Sequence, residues 1–111
     1  MKKSVLVVLG LLLSMSAYAK NRDCGVVFLS SVSVQADRLD GSTHGNKMLI
    51  GFKSQACRSI KWAYLENSDE AYDGMLSIAM TAYLHKRRLA VFVDESKDAS
   101  GAKRIQRLTL Q

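Results

Sequence analysis

Apolar residues recur at every second position through most of this chain, and one segment, Asp69 to Lys86, breaks that rule with a helical period. A period of two puts successive side chains on opposite faces of a strand, whereas a period near 3.6 gathers them on one side of a helix. The chain is therefore expected to be mainly β with one helix. From Gly25 to Ala36, Val26, Phe28, Ser30, Val32 and Val34 share one face, and Val27, Leu29, Ser31, Ser33 and Gln35 share the other, predicting a long first strand. Asp40 to Asn46 is rich in turn formers and reads as a loop. Met48, Ile50 and Phe52 alternate with Leu49, Gly51 and Lys53 in a second strand, and Lys53-Ser54-Gln55 reads as a turn. Cys57 to Leu65 is a third strand with Ile60, Trp62 and Tyr64 on one face. Three strands on short connections predict an antiparallel meander.

Ser68 is the expected N-cap of the helix, with Asp69 and Glu70 complementing its positive end and His85, Lys86 and Arg87 its negative end. Tyr72, Met75, Leu76, Ala79 and Tyr83 form the expected core stripe. Ile78 with Ala82 on one flank, and Met80 with Leu84 on the other, widen the apolar arc beyond what one sheet covers. These four residues are the candidate oligomer interface. Leu89, Val91 and Val93 make a fourth strand, Asp94 to Gly101 reads as a polar loop, and Arg104 to Leu110 makes a fifth. The uneven spacing of Ile105, Leu108 and Leu110 predicts a bulge.

Lys2 and Lys3, the apolar run Val5 to Leu13 and Ala17-Tyr18-Ala19 read as a signal peptide cleaved after Ala19. That places the protein in the periplasm or outside the cell, as one domain of 92 residues (20–111). The apolar run is too short for a membrane anchor, so no membrane insertion is expected. Two cysteines in a small exported domain predict a Cys24–Cys57 disulfide, contributing about 3 to 4 kcal/mol by loop closure. Loss of Lys2 and Lys3 takes the formal charge from +6 to +4. The basic residues gather in the C-terminal third, at Lys86-Arg87-Arg88, Lys103-Arg104 and Arg107. An exported basic surface meets anionic glycans or an acidic envelope partner rather than nucleic acid.

Nothing in the chain reads as catalytic. His44 and His85 are the only histidines, and no nucleophile signature accompanies them. Asp37, Asp40 and His44 have generic loop spacing and read as a solvated turn, so neither metal nor other cofactor is expected. The candidate ligand-binding residues are of three kinds. Lys86, Arg87 and Arg88 would hold an anion, Trp62 and Tyr64 would stack a sugar ring, and Ser30, Ser31 and Ser33 would offer hydroxyls to a polyol.

The order β-β-β-α-β-β is that of the OB-fold, a five-stranded, partly open barrel. Glu70 to Leu84, Leu89 to Asp94 and Arg104 to Leu110 together resemble the C-terminal half of the receptor-binding B subunits of pentameric AB toxins. The likeness is to the cholera and subtilase cytotoxin groups and to small exported bacterial proteins of the same build. It implies an OB-like barrel and a non-catalytic subunit that binds a cell-surface glycan, assembled as a homo-oligomer, a pentamer if toxin-like. The tryptophan and basic residue that cholera-type subunits carry near the end of the fourth strand are replaced here by Phe92-Val93-Asp94-Glu95, with Lys97 displaced, so that sugar pocket is not implied. The alternative function is a periplasmic interaction or inhibitor protein that sets its basic patch against an acidic partner.

Overall fold

The computed structural model describes residues 21–56 and 60–111; the expected signal peptide and Cys57 lie outside the described residues. The elements are β1 (Asn21–Val27), β2 (Leu29–Gln35), β3 (Lys47–Ala56), β4 (Ile60–Glu66), α1 (Tyr72–Leu84), β5 (Leu89–Ala99) and β6 (Ala102–Leu110). The described residues are mainly β with one helix, as expected. Their six strands form one sheet in the order β1, β5, β6, β4, β3, β2. β4 and β6 run parallel, and every other neighbouring pair is antiparallel.

Six strands stand where five were expected, because the first predicted strand is two. β1 pairs with β5 and β2 pairs with β3, so the chain changes partner at Phe28, the one residue between them. Gly25 prepares the change. Its φ of +74°, open to glycine at little cost, sits at the register shift between Asp23 and Val26. A second shift lies between Leu29 and Ser31: Leu29 faces Phe52 and Ser31 faces Gly51, which leaves Ser30 as the extra residue of a bulge. The bulge moves the core-facing parity, so Val27 and Leu29 are buried before it and Val32 packs on the core after it. The expected single face of Val26, Phe28, Ser30, Val32 and Val34 is thereby broken, and Val26, Phe28 and Val34 are exposed.

The main core lies between the sheet and α1, which packs on β2 and β6. Met48, Ile50, Leu65, Leu89, Val91 and Val93 are its largest fully buried side chains. Each contributes about 1.5 to 3 kcal/mol on leaving water. The helix enters this core through the small side chains of Ala79 and Ala82, with Tyr72, Met75, Leu76 and Ile78 packed around them. Two expectations change here. Tyr83 stands at the surface instead of in the core stripe, and Ala82, expected at an interface, is covered by the chain's own core. The helix is also shorter than Asp69 to Lys86. Asp69 forms a turn first, its carboxylate accepting the Ala71 N–H at 2.9 Å and its carbonyl the Tyr72 N–H at 3.0 Å; Ser68 is not the cap.

Two strands run longer than expected. Lys53-Ser54-Gln55 continues β3 instead of turning. Asp94 to Ala99 is strand, and the hairpin closes through Ser100 and Gly101, whose φ values of 51° and 94° suit a tight two-residue turn. A hairpin arm that projects past the main core needs no apolar alternation, which is why its composition reads as loop. The bulge expected in the last strand is present: Phe92 faces Arg107 and Val93 faces Ile105, so Gln106 is extra, and Ile105 and Leu108 both point inward.

Candidate functional site

The chain's change of partner at Phe28 leaves a cavity of about 380 Å³ between that junction and the C-terminal end of α1. Leu29 and Ala82, both buried, form its floor. Phe28 and Tyr83, each 43% exposed, and Leu84 form its walls. Its polar groups are Ser30, Lys53 and Lys86. Lys53 is held beside the opening because its backbone N–H donates to the Phe28 carbonyl at 3.0 Å, and its Nζ lies 5.9 Å from the centre of the Phe28 ring.

Lys86 reaches the cavity through an unusual helix end. The Lys86 N–H donates to the Tyr83 carbonyl and the Arg87 N–H to the Ala82 carbonyl, the paired bonds of a Schellman termination. The residue at its left-handed position is normally glycine; here it is Lys86, with φ 53°. A left-handed non-glycine residue costs about 1 kcal/mol or more, and this one carries a cation lining the cavity.

The structure places the expected ligand-binding residues in four different settings. Ser30 and Lys86 come together in the cavity, joined by Phe28, Lys53 and Tyr83, which the sequence reading did not select. Ser30, Ser31 and Trp62 meet above Gly51: a methyl group there would stand 3.0 Å from Ser30 Oγ, 2.7 Å from Ser31 Oγ and 2.8 Å from Trp62 Cζ3. Ser33 is exposed and faces Leu49 farther along β2. Tyr64 is buried with Leu49, Ala99 and Ala102 under the β5–β6 hairpin, and burial pushes its phenol above the ordinary range. Trp62 and Tyr64 thus stand outside the main core, whose share of β4 is Ile60, Ala63 and Leu65.

Much of the basic C-terminal third is engaged within the fold. The Arg87 guanidinium donates to the Gln111 carbonyl, and the Gln111 N–H donates to the Arg88 carbonyl at 3.1 Å. Lys103 pairs with Asp98 at 3.0 Å, Arg104 with Asp69 at 3.4 Å, and Arg107 lies over the Phe92 ring. The loop residues Asp37, Asp40 and His44 do not converge. Asp37 accepts from Asn46, Asp40 is paired with Arg38, which holds its carboxyl below the usual range, and His44 Nε2 bonds the Ala99 carbonyl at 2.8 Å.

Comparison with family models, curated proteins and solved structures finds no match to this chain. The cavity is therefore read from its own chemistry. Two partly exposed rings offer flat apolar faces, one hydroxyl offers a donor and an acceptor, and two ammonium groups favour an anion. Local signals for Phe28 and Tyr83 were weak, since one is an apolar residue inside a strand and the other lies on the predicted core stripe. Only the pairing of β2 with β3 brings Lys53 beside them.

Proposed function

We propose that the protein is an exported, non-catalytic binding module for an acidic saccharide, with the Phe28–Tyr83 cavity as its site. The observation that carries this reading is the cavity's composition: two exposed aromatic rings, the Ser30 hydroxyl and the Lys53 and Lys86 ammoniums around about 380 Å³. Aromatic faces take the C–H face of a sugar ring, a hydroxyl bonds its hydroxyls, and the lysines take its carboxylate. An OB-like barrel is the fold proposed for this module. It is supported by the sheet order, which begins with β1 and ends with β2, two strands one residue apart that read as halves of a single bent strand. The parallel β4–β6 pair and the helix between β4 and β5 fit the same reading. A toxin-like receptor-binding subunit, assembled as a homo-oligomer, is the form this proposal takes. Its support is the sequence resemblance together with the exposed Met80 and Leu84.

The other expected reading, a basic patch set against an acidic protein, has less support because Arg87, Lys103 and Arg104 already hold internal partners. Calorimetric titration with free N-acetylneuraminic acid, glucuronic acid and the neutral hexoses glucose and galactose tests the proposal. Acidic sugars should bind and neutral ones should not, and Lys53→Ala should weaken binding about tenfold or more, the loss of one charge-assisted bond. Equal binding of acidic and neutral sugars, or no binding of either, overturns it.

A further inference from the structure

We propose that Trp62 is a second saccharide subsite, stacking the neutral ring linked to the acidic ring held in the cavity. The proposal rests on the reading of the cavity given above, and its own observations lie on the neighbouring strand surface. Gly51 and Trp62 are directly paired across β3 and β4, and the indole approaches Gly51 so closely that a β-carbon there would meet Cζ3 at 2.8 Å. The ring is thus seated against the strand at Cζ3. An aromatic ring covering a strand glycine is a known structural device, and it accounts for this contact.

It does not account for the exposure of the rest of the ring. Trp62 is 46% exposed, whereas Tyr64, two residues on along the same strand, is 5% exposed because the β5–β6 hairpin lies over it. The cover that buries Tyr64 stops short of Trp62. Beside the indole stand two hydroxyls, Ser30 and Ser31, which regular alternation would send to opposite faces; the bulge opposite Gly51 brings both to the same point. A flat indole flanked by hydroxyls matches a pyranose ring, whose faces are C–H and whose rim is O–H.

The two places are contiguous. Ser30 belongs to both the cavity and the cluster above Gly51. Lys53 and Gly51 are two residues apart on one strand, about 7 Å along it, within the span of a disaccharide. The direction of the ligand follows: acidic ring toward Lys53 and Lys86, neutral ring on Trp62.

Trp62 is the only tryptophan in the chain, so its emission reports this subsite directly. Free N-acetylneuraminic acid and the same acid linked to galactose are titrated into the oxidised protein, with calorimetry and tryptophan fluorescence read in parallel. The disaccharide should bind about three to ten times more tightly than the monosaccharide, the worth of one aromatic stack, and it alone should shift or quench the emission. In Trp62→Ala the disaccharide's advantage should vanish while monosaccharide affinity stays unchanged; Lys53→Ala should weaken both ligands alike. Equal affinities without an emission change, or an advantage that survives in Trp62→Ala, overturn the Trp62 subsite and leave the cavity standing. Failure of both ligands to bind overturns both.

Discussion

The indole of Trp62 lies against the α-carbon of Gly51, its cross-strand partner, with no room for a β-carbon between them. Gly51→Ala should therefore destabilise the protein by about 1 to 3 kcal/mol, the range of an overpacked contact. The φ of Gly51 is not in the left-handed region, so the cost belongs to the contacts a methyl would make with Ser31 Oγ at 2.7 Å and Trp62 Cζ3 at 2.8 Å, and not to the backbone. Thermal unfolding of Gly51→Ala, Trp62→Ala and the double variant measures it. The double variant should be more stable than the sum of the single effects predicts, because removing the ring makes space for the methyl.

Under the proposed function, Lys86 sets stability against binding. Lys86→Gly relieves the left-handed strain at the Schellman position and should stabilise the protein by about 1 kcal/mol, raising Tm by about 4 to 8 °C for a domain of this size. The same change removes a cation from the cavity and should weaken acidic-sugar binding. A Tm that falls would show that Lys86 is held by contacts worth more than its strain.

Neighbouring helix positions should respond in opposite ways to one substitution. Ala79 is fully buried, so Ala79→Asp places a carboxylate in the core and should abolish cooperative folding. Met80 is 39% exposed, and Met80→Asp should change stability by no more than about 0.5 kcal/mol. Under the proposed homo-oligomer, light scattering of Met80→Asp should give single chains where the parent gives an assembly. A parent protein that scatters as a single chain at tens of micromolar rejects the assembly.

Cys24 is disulfide-bonded and buried against the core. Cys24→Ser should cost about 2 to 5 kcal/mol, read as a fall in the denaturant midpoint, and reduction of the parent protein should reproduce it. Mass spectrometry of non-reduced peptides checks the expected Cys57 partner.

The Asp98 carboxyl is held below the usual carboxylate range by the Lys103 ammonium at 3.0 Å and then by the Gly101 N–H at 2.7 Å. A carboxyl whose folded value is depressed adds stability above its unfolded value, about 3.9, and that stability is lost as pH falls through the folded value. Asp98 is half exposed, so solvent screening keeps the contribution small and confines it to the hairpin tip. The protection factor of the Gly101 amide, its exchange rate relative to the intrinsic rate at each pH, should fall in acid. Lys103→Ala should move the onset to higher pH.

Periodicity alone determined the class of the described residues: mainly β, with one helix after the fourth strand. Alternation and helical spacing are local properties, and burying an apolar face rewards them wherever that face is covered. Which face would be covered, and by what, was decided in three dimensions. Val26 to Val34 reads as one strand, yet the structure splits that run at Phe28 because its two halves pair with different strands, and a bulge at Ser30 reverses its parity. Trp62 and Tyr64 are alike in sequence terms, two aromatics two apart on one strand; the hairpin closed by Ser100 and Gly101 covers only the second. Tyr83 and Ala82 exchanged their expected places because close packing of α1 on the sheet admits a methyl group there and turns the larger ring outward. The serines, lysines and aromatic residues of the candidate site were visible as residue types. Their convergence was not, because it depends on strand partners and on one left-handed residue at a helix end, and neither leaves a periodic trace in the sequence.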